Sequence, residues 1–199
     1  GLHRFGAADE AVVRRVIELA EKEGVWVVGV QELWFKNKRN LAEVTRALKG
    51  TPWRWYGKIR TRRKRGDKKG SGGVGMFVHE KAGHVIEHKC RSDGLMWIEI
   101  TRGDVALNVV NVYLVPANST RYTHNENAMK ELEGMLERMS KDKRVVLGDW
   151  NARIGDMPSV VFTEQDVEEM EEEKEYSRMS VDKVRNPAGK AVLDAMNAH

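Results

Sequence analysis

Leu95-Met-Trp-Ile-Glu-Ile-Thr101 and Val105-Ala-Leu-Asn-Val-Val-Asn-Val-Tyr113, joined by Arg102-Gly103-Asp104, decide the fold class. Both runs are rich in β-branched and aromatic residues. The three residues between them form a tight turn, so the pair reads as two adjacent strands. In the second strand Val105, Leu107, Val109, Asn111 and Tyr113 share one face, because side chains alternate with a period of two. Upstream, Trp53–Ile59, Gly73–His79 and His84–Lys89 read as further strands.

Around these strands the chain turns helical. Ala8–Glu23 carries Val12, Val13, Val16 and Ala20 at helical spacing and stops at Gly24. Asn40–Leu48 is a shorter helix, ended by Gly50 and Pro52. Thr123–Met139 opens with capping-box spacing between Thr123 and Glu126, and Met129, Leu132, Leu136 and Met139 form its apolar stripe. Ala188–Asn197 reads as a last helix. Two short apolar runs, Val25–Val30 and Arg144–Leu147, have the length and β-branching of buried strands. The order is helix, strand, helix, a run of strands, helix, strand. Consecutive strands in such an order predict an α/β (α+β) layered fold rather than a purely parallel sheet.

Composition sets outer limits. Apolar residues make up 41% of 199, enough for a core. No run approaches the roughly 20 apolar residues that cross a bilayer, and Gly1–Glu10 lacks the apolar stretch of a signal peptide. Cys90 is the single cysteine, which excludes an internal disulfide framework and a Cys-based zinc site, and suits a reducing compartment. It reads as a small core residue. The net charge of +4 is unevenly spread. Residues 58–70 form a basic loop, with eight basic residues and one acid between Lys58 and Lys69. Residues 162–177 form an acidic insert or exposed helix, with eight acids and one lysine between Glu164 and Glu175. A basic loop suits a polyanion, whose phosphates release counterions to Lys and Arg. On charge alone, a solvated loop is the more ordinary reading.

Two strand ends carry the chemistry. Val25-Trp-Val-Val-Gly-Val-Gln-Glu32 and Arg144-Val-Val-Leu-Gly-Asp-Trp-Asn151 each run a buried strand into a carboxylate. An acid after a strand is commonly a solvated turn residue or a cap. Two of them, with a third strand ending in Tyr113, point to a shared rim where hard oxygen ligands would suit Mg²⁺ or Mn²⁺.

The motifs Val30-Gln31-Glu32, Gly72-Gly73-Val74-Gly75-Met76, Asn111-Val112-Tyr113 and Leu147-Gly148-Asp149-Trp150-Asn151-Ala152, in this order, resemble the endonuclease/exonuclease/phosphatase superfamily of DNase I-like enzymes. The nearer resemblance is to endonucleases of non-LTR retrotransposons and their craniofacial-development-protein-like relatives. Gly1-Leu2, Asp182 and Asn186-Pro187-Ala188-Gly189 add to it.

The resemblance implies a four-layer α/β/β/α sandwich of two mixed sheets, truncated at both ends, in which residues 1–199 form one incomplete domain. It implies Mg²⁺- or Mn²⁺-dependent phosphodiester hydrolysis, most closely the nicking of duplex DNA in an intracellular, nuclear setting. Glu32 would ligate the metal and Tyr113 would reach the scissile phosphate. Asp149 would orient or deprotonate the attacking water, and Asn151 would hold the phosphate. Arg62, Arg63, Lys64 and Arg65 would grip the nucleic-acid backbone. Trp53, Trp55 and Tyr56 are read as core rather than as a base-stacking platform.

Two parts of the family's pattern do not occur here. One is a first strand bearing a metal-site Asn, expected just before Gly1. The other is a closing Asp-His pair, expected beyond His199. His3, His79, His84, His88, His124 and His199 are all read as non-catalytic, since none has that setting. The expectation is weak or no nicking by these 199 residues alone. Two alternatives stand beside it: another phosphoesterase of the superfamily acting on RNA, phosphoinositides or sphingomyelin, and a non-catalytic nucleic-acid-binding remnant.

Overall fold

The computed structural model describes residues 10–33, 38–57, 73–116, 124–154, 184 and 186–198. The chain divides into two compact units, Gly1–Trp150 and Asn151–His199.

The first unit contains two sheets. One has the order β1-β3-β2, built from β1 (Val27–Gln31), β2 (Trp53–Gly57) and β3 (Val74–His79), all antiparallel. The other has the order β4-β5-β6-β7, from β4 (His84–His88), β5 (Leu95–Arg102), β6 (Val105–Tyr113) and β7 (Arg144–Asp149). Its first three strands are antiparallel, and β7 runs parallel to β6. The helix that a parallel connection needs is α3 (His124–Leu136), which lies between β6 and β7 in the chain.

Alternation along the strands builds the layers. Val74, Met76 and Val78 of β3 meet Met96, Ile98 and Ile100 of β5 and Val109 and Tyr113 of β6 in one buried cluster between the sheets. The opposite face of the three-stranded sheet offers Val30, Trp53 and Phe77. These pack with Val13, Ile17 and Ala20 of α1 (Glu10–Lys22) and Val44 and Ala47 of α2 (Lys38–Ala47). Ile17, absent from the expected stripe, turns the buried face of α1 so that Val12 and Val16 are only half-buried. The outer face of the four-stranded sheet carries α3. The Arg138 guanidinium, just past its end, stands over the Trp97 ring, 5.6 Å from its centroid. Glu131 of α3 accepts the backbone N–H groups of Arg91 (2.5 Å) and Ser92 (2.7 Å). The result is the expected α/β/β/α sandwich.

The tryptophans of β2 belong to this core. Trp53 is buried and its indole N–H donates to Glu21 at 2.9 Å. Trp55 lies over Gly57 and its register partner Gly75, where a Cβ on either would meet the indole at 2.4 or 2.1 Å. Cys90 is buried as expected. Among the described residues, no helix is long and apolar enough to cross a membrane.

In the second unit, α4 (Pro187–Ala198) is anchored at its start. The Asn186 side chain accepts the N–H of Gly189 at 2.7 Å and that of Arg153 at 3.2 Å. The first pattern is that of an N-cap. The acidic stretch 162–177 and the basic loop 58–70, with Arg62, Arg63, Lys64 and Arg65, lie outside the described residues.

Candidate active site

Glu32 follows directly after β1, whose last inward residue is Gln31. Its φ is 54°, in the left-handed region that a β-carbon disfavours. Among the described residues only Glu32 and Asn151 (φ 45°) adopt positive φ without being glycine, and both were picked out from the motifs. Residues held in this region cluster at functional sites, where the surrounding structure over-determines them.

The Tyr113 hydroxyl, at the end of β6, donates to Glu32 Oε1 at 2.6 Å. The bond crosses from one sheet to the other, so the rim anticipated at a single sheet is built by both. Tyr113 is the register partner of Asp149 on β7, and the N–H of Leu114 donates to the Asp149 carbonyl at 3.0 Å. Parallel neighbours stand about 4.8 Å apart, so Asp149 ends its strand beside Tyr113. The Asp149 side chain is exposed; Glu32 is half-buried and Tyr113 nearly buried.

Two glycines make the approach possible. A Cβ on Gly29 would stand 2.1 Å from the Leu147 side chain, so β7 packs against the face of β1. Gly148, at φ 147°, brings its backbone so near Val112 that a Cβ would meet that carbonyl at 2.0 Å.

The structure therefore brings Glu32, Tyr113 and Asp149 to one end of the first unit. Asn151 opens the second unit, half-buried and in the left-handed conformation that Asn tolerates better than most residues. Of the histidines, His79 caps a short turn by accepting the Lys81 N–H at 3.0 Å, and His88 stacks on Trp97 at 3.9 Å.

Sequence reading missed two features. A cavity of about 940 Å³ opens beside Tyr113, and Lys89, Arg91 and Lys130 line it. These cations come from the β4–β5 loop and α3, and their spacing in the chain gives no hint of convergence. The second feature is an amide pair. Gln31 Nε2 donates to Asn111 Oδ1 at 2.6 Å, and Asn111 Nδ2 donates to the carbonyls of Val30 (3.1 Å) and Gly75 (2.9 Å). Polar residues on the inward face of otherwise apolar strands were the signal for it.

The donors at the rim are carboxylate and phenol oxygens. They fit a hard divalent cation such as Mg²⁺ or Mn²⁺, which binds through one or two carboxylates and completes its shell with water and phosphate. Among the described residues no group of three or more His, Cys, Asp or Glu is placed to hold an ion by itself.

Comparison with known proteins extends the geometry. The chain's fold is similar to the endonuclease domain of TRAS1, a telomere-specific non-LTR retrotransposon, with a TM-score of 0.56 at 13% identity, over 98% of this chain and 66% of that one. Two further solved structures match with TM-scores of 0.49 and 0.47, each at 13% identity. They are D. rerio TDP2 complexed with a single-strand DNA product (76% of this chain, 57% of that) and an endonuclease/exonuclease/phosphatase family protein from Leptotrichia buccalis (74% and 61%). The chain thus spans about two thirds or less of the length of each. No curated protein sequence matches it. A family model does, along residues 3–187. That match runs through every strand and through the Glu32, Tyr113 and Asp149 motifs, and the chain belongs to the Endonuclease/Exonuclease/phosphatase family, a family of phosphoester hydrolases.

Proposed function

We propose that the chain carries the phosphodiester-cleaving site of a Mg²⁺- or Mn²⁺-dependent endonuclease that nicks duplex DNA, of the retrotransposon type. One observation carries the reading: the Tyr113 phenol is hydrogen-bonded to a strained Glu32 across two sheets, with Asp149 beside it in register. A bound cation would neutralise phosphate charge and polarise the phosphoryl oxygen.

The chain's own residues do the rest. Glu32 holds the cation side of the phosphate, with its carboxylate oriented by the Tyr113 hydroxyl. Once substrate arrives, the single Tyr113 O–H turns from Glu32 to donate to a phosphate oxygen. Asp149, exposed to water, takes the proton from the attacking water, work that requires a carboxylate within hydrogen-bond reach. Asn151 is assigned to the phosphate by its motif alone: an amide donates to a developing charge without adding a negative one. Lys89, Arg91 and Lys130 beside Tyr113, with Arg62, Arg63, Lys64 and Arg65, supply the backbone contacts that position nucleic acid without reading its sequence.

The test is Mg²⁺-dependent relaxation of supercoiled plasmid by the 199-residue chain, with poly(A) RNA and phosphoinositide as competing substrates. Weak nicking that disappears in Glu32→Gln is the expected result. Turnover of either competitor in place of plasmid overturns the DNA assignment. Duplex binding supplies a second arm: replacing Arg62, Arg63, Lys64 and Arg65 by Ala should weaken it and flatten its dependence on salt, and an unchanged slope removes these four residues from the interface.

A further inference from the structure

We propose that Asn111 and Gln31 are positioning residues that set the place of the Glu32 carboxylate for a divalent cation. The inference rests on the reading of Glu32 given above.

Asn111 is completely buried. Of the four hydrogen bonds its amide can make, three are formed, and all three cross between the sheets. Its two N–H groups donate to Val30 and Gly75, which are register partners in β1 and β3, and its oxygen accepts from Gln31. One side chain of β6 therefore ties together two strands of the opposite sheet.

The position of this tie matters. Asn111 precedes Tyr113 by two residues on the same face of β6, and Gln31 directly precedes Glu32. The amide bridge thus joins the same two strands that the 2.6 Å phenol–carboxylate bond joins, one step further into the sandwich. Glu32 leaves β1 with a φ of 54°, which persists only if the backbone before it is held. Gln31, tied by its side chain as well as its strand pairing to Val74, is that anchor. A hydrocarbon would fill the volume of Asn111 but would hold neither the two carbonyls nor Gln31. Groups that orient a ligand from behind typically shift metal affinity by about ten- to a hundredfold when removed.

The test uses Mn²⁺ alone as the probe, titrated by calorimetry into the 199-residue chain, with the thermal midpoint measured alongside. Gln31→Met keeps the length of the side chain and removes only the link to Asn111. It should remain folded and bind Mn²⁺ about tenfold more weakly. Val44→Ala, in the helix-side core, is the control: it should lower the midpoint and leave Mn²⁺ affinity unchanged. Asn111→Asp, which turns a carboxylate toward two carbonyls, should weaken Mn²⁺ further wherever it folds. If Gln31→Met binds Mn²⁺ like the parent while Glu32→Gln loses it, the positioning pair is overturned and the reading of Glu32 stands. Equal binding, or none, in the parent and Glu32→Gln overturns that reading and this inference with it.

Discussion

Val27–Glu32 and Arg144–Asp149 look alike as sequence, each an apolar strand with a glycine that ends in a carboxylate, yet the fold treats the two acids differently. Glu32 is half-buried, strained in φ and hydrogen-bonded to Tyr113. Asp149 has an exposed side chain, and its backbone is in register with Tyr113 and accepts the N–H of Leu114. The glycines differ too. Gly29 yields space to the end of a flexible side chain, Leu147, whereas Gly148 yields it to the main chain of β6. One rim thus presents two carboxylates in different settings, one half-buried and one exposed.

The comparison can be broken most sharply at Asp149. Asp149→Asn should lower Mg²⁺-dependent plasmid nicking by about 10²- to 10⁴-fold and change unfolding free energy by no more than about 0.5 kcal/mol, as exposed sites do. A loss of stability matching the loss of turnover would make Asp149 a structural residue instead.

The glycines come next. Gly148→Ala requires both an unfavourable φ and a shift of the β6 backbone, so it should cost about 3 kcal/mol in urea denaturation. Gly29→Ala asks mainly that Leu147 move, and should cost about 1 kcal/mol. A reversed ranking would mean that the β1–β7 contact, not the bend at Gly148, sets the approach of the strands.

Tyr113→Phe removes the hydroxyl that donates to Glu32 Oε1 and should destabilise the chain by about 1 kcal/mol. No change at all would show that the bond does not hold Glu32.

The smallest effect lies away from the rim. Burial pushes the Tyr56 phenol above its ordinary value of 10.0; the charge of Arg54 works against this and that of Glu87 adds to it. The unfolded phenol therefore ionises first as pH rises. The stability tied to this group is whole below that ordinary value and is lost as pH climbs through the raised one. The thermal midpoint of the parent should fall more steeply than that of Tyr56→Phe above about pH 10. Parallel curves would remove the effect.

Much of this was readable from local pattern. The hairpin at Arg102-Gly103-Asp104 and the strand Val105–Tyr113 lie where alternation placed them. Trp53 lies in the core, as expected, because a large apolar ring gains most from burial. The amide tie was not readable in the same way. Gln31 and Asn111 are 80 residues apart, and nothing in either strand states which inward positions of the two sheets will meet. The cations Lys89, Arg91 and Lys130 were overlooked for the same reason, being scattered through a loop and a helix rather than concentrated in a run.

Sequence alone determined the elements, their inward and outward faces and the acids at two strand ends, because hydrophobic period, glycine placement and short motifs are local properties. Tertiary structure alone decided that Glu32 and Tyr113 meet from different sheets, that a buried amide ties the strands behind them, and that one carboxylate is half-buried while the other is exposed. Those outcomes depend on how two sheets settle against each other, and that packing is the sum of many weak contacts which no short stretch of chain encodes.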